Sequence, residues 1–479
     1  MRSVQRPLLH PRPRVDSSGR AAAPGVRRAA LLPAAMALAA VGAWAQAPPA
    51  GPSPASSLGP LSLSLRQAVE IALAPDGNAR VALAAELVEQ ARLRSLESRA
   101  ALLPNVDSTV TQQNTVRNLA AFGIRFQSPI PGFSFPSIVG PFNVFDARVS
   151  ATQSIFDLSA IRRYQAARTQ AAAARRDDSN TREETTAAVA RAYVSAQLAQ
   201  RQQQTAQADV DLAEELVREA ENRNNAGSGV RIEVARARVQ LADRRQNVIV
   251  RRTQSHAAQM QLARLLGLAF DRDLELTTPL ETPSAESATV EAALDEAFEH
   301  RSDWHAQMLR DEAAGQSDSA VKWERLPSLA AFGDYGAIGN SINNSQPTRT
   351  IGASLRVPVF DGGRREARRA ETASQRRQES IRTRDLRQQI ELEIRLAQDA
   401  LVSATLQTEV AQEGLTLAEE EAARARRRYA AGVGETLEIT DAQTRLARAR
   451  QNLIDALGLY NLARIDWSEA RGRIDTVIP

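Results

Sequence analysis

Cysteine is absent from all 479 residues. That excludes disulfides, thiol nucleophiles, zinc–thiolate sites and a lipidated cysteine behind a cleaved leader. Lysine occurs once, at Lys322, so arginine carries nearly all of the positive charge. Histidine is scarce. Beyond the first 45 residues only His256, His300 and His305 remain, and the last two stand five apart, outside the i,i+4 spacing of a helical metal pair. A phosphate-binding glycine loop is also missing, because Gly227-Ser-Gly-Val and Gly432-Val-Gly-Glu lack the following lysine. The residues therefore give little support to catalysis and none to a cofactor or metal, and a periplasmic metal-binding enzyme is the most distant reading.

The net charge of +4 is equally uninformative about partners. Residues 1–45 hold seven arginines against one acid, Asp16, which leaves 53 basic and 55 acidic groups beyond them. The basicity belongs to the leader, and no nucleic-acid partner is implied. Arg27-Arg28 precede an apolar run from Ala29 to Ala43, and Ala43-Trp44-Ala45 forms a small-x-small site with cleavage between Ala45 and Gln46. A signal peptide over 1–45 is expected. The competing reading, a membrane anchor, has to accommodate Pro33 within a run at the bottom of the spanning range of about 17–25 residues. No second apolar run approaches that length. An exported chain without such a helix is periplasmic, released, or inserted as a β-barrel.

Behind a Pro-rich linker (46–61) the chain repeats itself. Ser64–Ala72 resembles Thr289–Ala297, Ala101–Val106 resembles Glu324–Leu329, and Gln153–Asp157 resembles Val357–Asp361. Asn225-Ala-Gly227 and Gln246–Ile249 resemble Ala430-Ala-Gly432 and Gln451–Ile454. The separation drops from 225 and 223 to 204 and 205, so the first half carries one insertion of about 19 residues, assigned to the Phe/Pro/Gly-rich stretch Phe122–Pro141. The expected organisation is a first repeat over 62–275, a second over 289–470 and a tail over 471–479.

Each repeat opens with a helix (about 64–101 and 290–324), continues with two β-like segments and ends in a very long helical region. No glycine or proline lies between Pro141 and Gly227, and no proline between Pro358 and Pro479. Strong helix formers dominate both stretches. Leu386, Ile390, Ile394, Ala397, Leu401 and Ala404 make a narrow seam suited to helix–helix packing. One helix over 158–226 would reach about 100 Å at 1.5 Å per residue. The return leg, Val230 to Leu266, covers about half of that, and the opening helix supplies the rest by stacking on it end to end.

Residues 144–156 alternate: Phe145, Ala147, Val149, Ala151 and Ile155 share one face, and Asp146, Arg148, Ser150, Thr152 and Ser154 the other. In the second half Ile351, Ala353, Leu355, Val357 and Val359 oppose Thr350, Gly352, Ser354 and Arg356. Phe145, Val149, Ile155, Ile351, Leu355 and Val359 are the expected lipid-facing positions. Their partners lie near 105–117 and 328–338. A surface hairpin with one buried face is the competing reading for one such segment. Seven of eleven phenylalanines lie between 122 and 156, with Phe332 and Phe360 adding two, which suits a membrane interface belt. Four strands close no barrel and open edges are excluded from lipid, so several chains must share one.

The leader, the duplicated halves, Leu-Pro before the first strand, Phe-Asp after the second and the Ala-Gly turns together resemble the TolC-like outer membrane factor family. Tyr429–Gln443 is similar to that family's periplasmic tip. The resemblance implies a mainly α fold with a small β part, in which duplicated antiparallel coiled-coil hairpins and two strands per repeat build a homotrimer. Its 12-stranded outer-membrane barrel continues into a periplasmic α-barrel. It further implies a passive exit duct of a tripartite efflux pump or a type I secretion system, with a periplasmic adaptor and an inner-membrane transporter as partners. At the tip it implies that Glu438 and Asp441 narrow the entrance and that Tyr429 braces the closed state. Both acids fall on one helix face. They also suit a helix N-terminus by charge alone, and Tyr429 suits ordinary packing. Where the founding member has a basic latch residue this chain has Gly434; Arg231 or Arg236 could supply the cation. Gly227, Gly229, Gly432 and Gly434 are expected in the two tip turns, with adaptor docking implied by the resemblance. The main rival is a soluble periplasmic coiled-coil scaffold or adaptor, which normally has one hairpin between β-rich domains.

Overall fold

The computed structural model describes residues 61–478 apart from 76, 124–135, 228–229, 284–288, 432 and 434–435. The leader with its Ala45/Gln46 site and the linker to residue 60 lie outside the described residues, as do Gly229, Gly432 and Gly434. Backbone contacts separate residues 1–57 from 58–479, and the second unit is described here.

The first repeat runs β1 (Leu61–Leu63), α1 (Leu65–Leu73), α2 (Ala79–Ala100), β2 (Asn105–Asn118), β3 (Ile138–Phe156), α3 (Leu158–Asn225) and α4 (Arg231–Leu265). The second runs β4 (Leu274–Leu276), α5 (Val290–His300), α6 (Ser302–Trp323), β5 (Ser328–Gly339), β6 (Ser345–Arg356), α7 (Arg364–Ala430) and α8 (Thr436–Ala470). Starts at 79 and 302 become starts at 158 and 364 once the two strands are passed, so the inserted residues lie between β2 and β3. Part of the insertion is strand rather than loop, because β3 begins at Ile138 and pairs with β2 back to Asn118.

The opening helix of each repeat is two helices, which corrects the single helices expected over 64–101 and 290–324. Ser64 and Gln67 form a reciprocal capping box on α1, which stops before Pro75; Asn78 then caps α2. In the second repeat the break is a single extended residue, Arg301. These breaks are where the end-to-end stacking happens. The Asn78 amide donates to the Leu265 carbonyl at the end of α4 (2.9 Å), and Arg301 donates to the Ala470 carbonyl at the end of α8 (3.2 Å). Each short helix thus satisfies an orphan carbonyl of the long helix below it. The result is a layer of four columns in the order α2/α4, α3, α6/α8, α7.

Packing follows the seam expected from spacing. Ile390, Ile394, Ala397, Leu401 and Ala404 of α7 are buried in one cluster with Tyr460, Ala463 and Trp467 of α8. The first core gathers α1, the middle of α3, the end of α4 and the parallel pair β1–β4. Tyr193 of α3 ties that pair down: its hydroxyl donates to the Leu63 carbonyl (2.8 Å) and accepts from the Thr278 amide (2.9 Å). Tyr193→Phe leaves the Thr278 amide unmet at about 1–3 kcal/mol, while the Leu63 carbonyl keeps the Thr277 amide (3.1 Å). Denaturant unfolding should show a lower midpoint with an unchanged slope; an unchanged midpoint would mean that water replaces the hydroxyl.

Phe-Asp is the strand-to-helix joint in both repeats. Asp157 accepts from the Ala160 amide (3.0 Å) at the start of α3, and Asp361 accepts from the Arg365 amide (3.2 Å) at the start of α7.

Candidate functional site

Two places collect the residues singled out above: the four-stranded sheet and the tips of the two helical hairpins.

The sheet is antiparallel in the order β2-β3-β5-β6. The β3–β5 pairing joins the two repeats, and β2 and β6 each have one edge unpaired among the described residues. Residues opposite one another in register share a face. One face therefore holds Val106, Val110, Phe145, Val149, Ala151, Tyr335, Ile351 and Leu355, with Ser108, Gln112 and Arg349 as polar members among them. Ile351 is 84% and Val149 47% exposed in the single chain, an apolar surface with no internal cover. The other face holds Asp107, Asp146, Arg148, Ser150, Asp334 and Thr350.

Three expectations need correction here. Val359 is outside the sheet: β6 ends at Arg356 and Pro358, which has no amide to donate, follows. Ile155 is the extra residue of a register irregularity between Ser154 and Phe156, so Phe156, opposite Leu329, takes the apolar-face position. Phe332 is on the polar face, its ring lying over Gly352, where a Cβ would come within 2.7 Å of it.

At the tips, Gly227 has φ +77 in the turn after α3, the left-handed conformation glycine accepts. Tyr429 is buried at the end of α7. The Arg223 guanidinium, from the last turn of α3, lies 3.6 Å from the centre of the Tyr429 ring and donates to the Tyr429 carbonyl (2.8 Å). One arginine of the first hairpin thus holds both ring and backbone of the second. Glu438, in the first turn of α8, pairs with Arg428 (3.0 Å), and Asp441 is exposed. The cations considered for these acids, Arg231 and Arg236, pair with neither. Arg236 instead lines a cavity of about 630 Å³ between the hairpins, with Leu216, Val239, Tyr429, Leu437 and Thr440. Arg428 was findable in the sequence, since 428 and 438 flank the turn symmetrically about Val433. Arg223 had no local signal beyond a basic residue near a helix C-terminus.

Where α8 ends and α6 begins, a cavity of about 750 Å³ is lined by Glu183, Glu184, Arg191, Arg301, Glu393 and Glu469, among others. Arg301 pairs with Asp303 and Glu393 (both 2.7 Å), and Arg191 pairs with Asp466 (2.7 Å) and Glu469. Burial pushes Glu183 above the usual carboxylate range despite the Ser302 hydroxyl it accepts, with Asp303 adding to the rise. Burial likewise raises Glu469, against the pull of Arg191. Asp303, Glu393, Asp466 and Glu469 are tied to arginines, and among the described residues no cluster has the make-up of a metal site.

The sequence pattern of the outer membrane efflux protein family matches residues 71–268 and 293–473. The chain belongs to the outer membrane efflux protein family. The two matched stretches are the two repeats seen in the fold. This outer membrane efflux protein is a channel component rather than an enzyme, placed in the outer membrane with its helical part in the periplasm. Among curated relatives, the pyoverdine export outer membrane protein OpmQ of Pseudomonas aeruginosa is 28% identical over 184 residues, 38% of each chain. That stretch spans well under half of the relative's length. Among solved structures, the Campylobacter jejuni CmeC outer membrane channel superposes with a TM-score of 0.73 at 18% identity, covering 86% of each chain. The outer membrane protein VceC of Vibrio cholerae gives 0.70 at 18% identity, covering 85% of this chain and 96% of that one. At such identity the likeness is one of fold. Among the described residues no helix is long and apolar enough to cross a membrane.

Proposed function

We propose that three copies of this chain close one 12-stranded barrel and a helical tube below it, forming the passive exit duct of a tripartite export assembly. The observation that carries this is the sheet: mostly apolar on one face, polar on the other, and unpaired at both edges among the described residues. An amphipathic sheet is what a barrel wall with a wet interior requires, and unpaired edges are excluded from hydrocarbon, so another chain must cover them. The helical layer has the same incompleteness. Its outer columns expose Leu392, Leu396, Leu406 and Val410 on α7 at one side and Leu83 and Leu87 on α2 at the other. Apolar stripes of that kind suit packing against the next copy.

The hairpin tips form the gated end. Opening requires the first and second hairpins to separate, which the Arg223–Tyr429 contact resists. The cavity between the hairpins, with Val239 and Leu437 at its mouth, suits the helical tip of a periplasmic adaptor, which links the duct to an inner-membrane transporter. The OpmQ relative favours small-molecule efflux over secretion of a polypeptide.

Under three-fold symmetry Glu438 and Asp441 form a ring of six carboxylates, selecting cations at the entrance. Arg428 offsets Glu438, so Asp441 has the larger share. Reconstituted Glu438→Gln/Asp441→Asn should lose cation preference, and Asp441→Asn alone most of it, in reversal-potential measurements across a salt gradient. An unchanged reversal potential in the double variant would remove the ring. Failure of the unaltered protein to form any conducting channel would remove the duct.

A further inference from the structure

Apart from Arg356, opposite Ser328 at the helical end of the sheet, the charge at issue lies in a narrow band of the polar face. One rung of the register is Asp107–Ser150–Asp334–Thr350; the next is Thr109–Arg148–Gly336–Thr348; the next contains Asp146 opposite Thr111. Asp107 is the third residue of β2, so the band lies toward the helical end of the sheet. Within it Arg148 is held flat against the wall. It makes a two-point contact with Asp146 (2.8 and 2.6 Å) and reaches Asp334 across the β3–β5 seam (3.3 Å). Gly336, directly opposite, leaves the room: a Cβ there would stand 2.5 Å from that of Arg148. Asp107 has no ion-pair partner among the described residues.

A guanidinium pinned between two carboxylates cannot swing out to neutralise a third. Within the band the wall therefore presents three fixed acids against one fixed cation, an excess of two negative charges per chain. We propose that Asp107, Asp146, Arg148 and Asp334 form a second selectivity belt, inside the membrane barrel, that favours cations and disfavours anions independently of the tip. The inference rests on the trimeric channel reading, under which three copies place six uncompensated charges around one lumen. Rings of fixed charge of one sign select permeant ions by their field.

The test uses the full-length protein in planar bilayers, with Glu438→Gln/Asp441→Asn as the background so that the entrance contributes no acidic ring. Adding Asp107→Asn and Asp334→Asn brings the belt to neutrality, and the cation-to-anion permeability ratio should fall at least about twofold. Adding Arg148→Gln instead enlarges the negative excess, and the ratio should rise by a similar factor. Asp107→Asn alone touches no ion pair, so it should give a smaller fall without disturbing assembly, checked by the heat-resistant oligomer on a gel. Opposite shifts for the two charge changes support the belt. A conducting channel whose permeability ratio is the same in every variant overturns it while leaving the duct intact. An unaltered protein that forms no channel overturns the duct itself.

Discussion

Replacing Arg223 by alanine should raise the open fraction of the periplasmic entrance by at least an order of magnitude. Arg223 makes two distinct contacts with Tyr429, stacking on the ring at 3.6 Å and donating to the carbonyl at 2.8 Å. A desolvated cation–π contact contributes about 1–2 kcal/mol, and a charge-assisted hydrogen bond about 1.5–3 kcal/mol. Both are lost when the hairpins part. Even about 2 kcal/mol changes the ratio of parted to closed hairpins roughly 30-fold, at about 1.4 kcal/mol per factor of ten. Variants separate the parts of the contact. Arg223→Lys keeps the charge but loses the planar stack and the fork of donors, so it should be intermediate. Tyr429→Phe keeps ring and carbonyl and should resemble the unaltered protein. Tyr429→Leu loses only the stack. Single-channel recordings read all four; an Arg223→Ala channel with unaltered open probability would show that the tip is held closed elsewhere.

The second large effect concerns which way the sheet faces. Val149 and Ser150 are neighbours in β3 on opposite faces. An arginine on the lipid face near the bilayer midplane costs about 2–4 kcal/mol, and three copies would suffer it together, roughly 6–12 kcal/mol for each assembly. Val149→Arg should abolish the heat-resistant oligomer and lower the amount in the outer membrane more than tenfold. Ser150→Arg meets the lumen, on the same rung as Asp107 and Asp334, and should assemble normally. Ile351→Arg against Thr350→Arg repeats the comparison in β6. Equal assembly of Val149→Arg and Ser150→Arg would mean that the apolar face does not meet lipid.

Much of this architecture is readable before any coordinates, and the reasons are local. Helix length shows because 68 residues pass in α3 without a glycine or proline. Strand faces show because the side-chain period is two, and the duplication shows because one change of separation explains every matched segment. The failures are informative too. Pro75 marks the first helix break, but in the second repeat one extended residue, Arg301, does the same work with no proline or glycine to signal it. Its role, donating to Ala470, becomes visible only when α8 is laid beneath α6. Ile155 obeys the alternation on paper and leaves it because the register slips by one residue there. Among the tip residues, Arg428 opposite Glu438 follows from hairpin symmetry. Arg223 and Tyr429 are 206 residues apart in the chain, and no spacing rule connects them.

The central claim is that each chain contributes an open, four-stranded portion of a wall that copies of itself complete. The protein has no cysteine, so introduced pairs report without background. Val110→Cys on the β2 edge can be combined in turn with cysteines at 347, 349, 351 and 353 on the β6 edge and oxidised in outer-membrane vesicles. One of these registers should bring the two Cα atoms within the roughly 4.4–6.8 Å that a disulfide spans. The account requires bands of two and three chains on boiled, non-reducing gels, with nothing larger. Absence of any cross-link between chains at every register, or a ladder continuing past three, would contradict it.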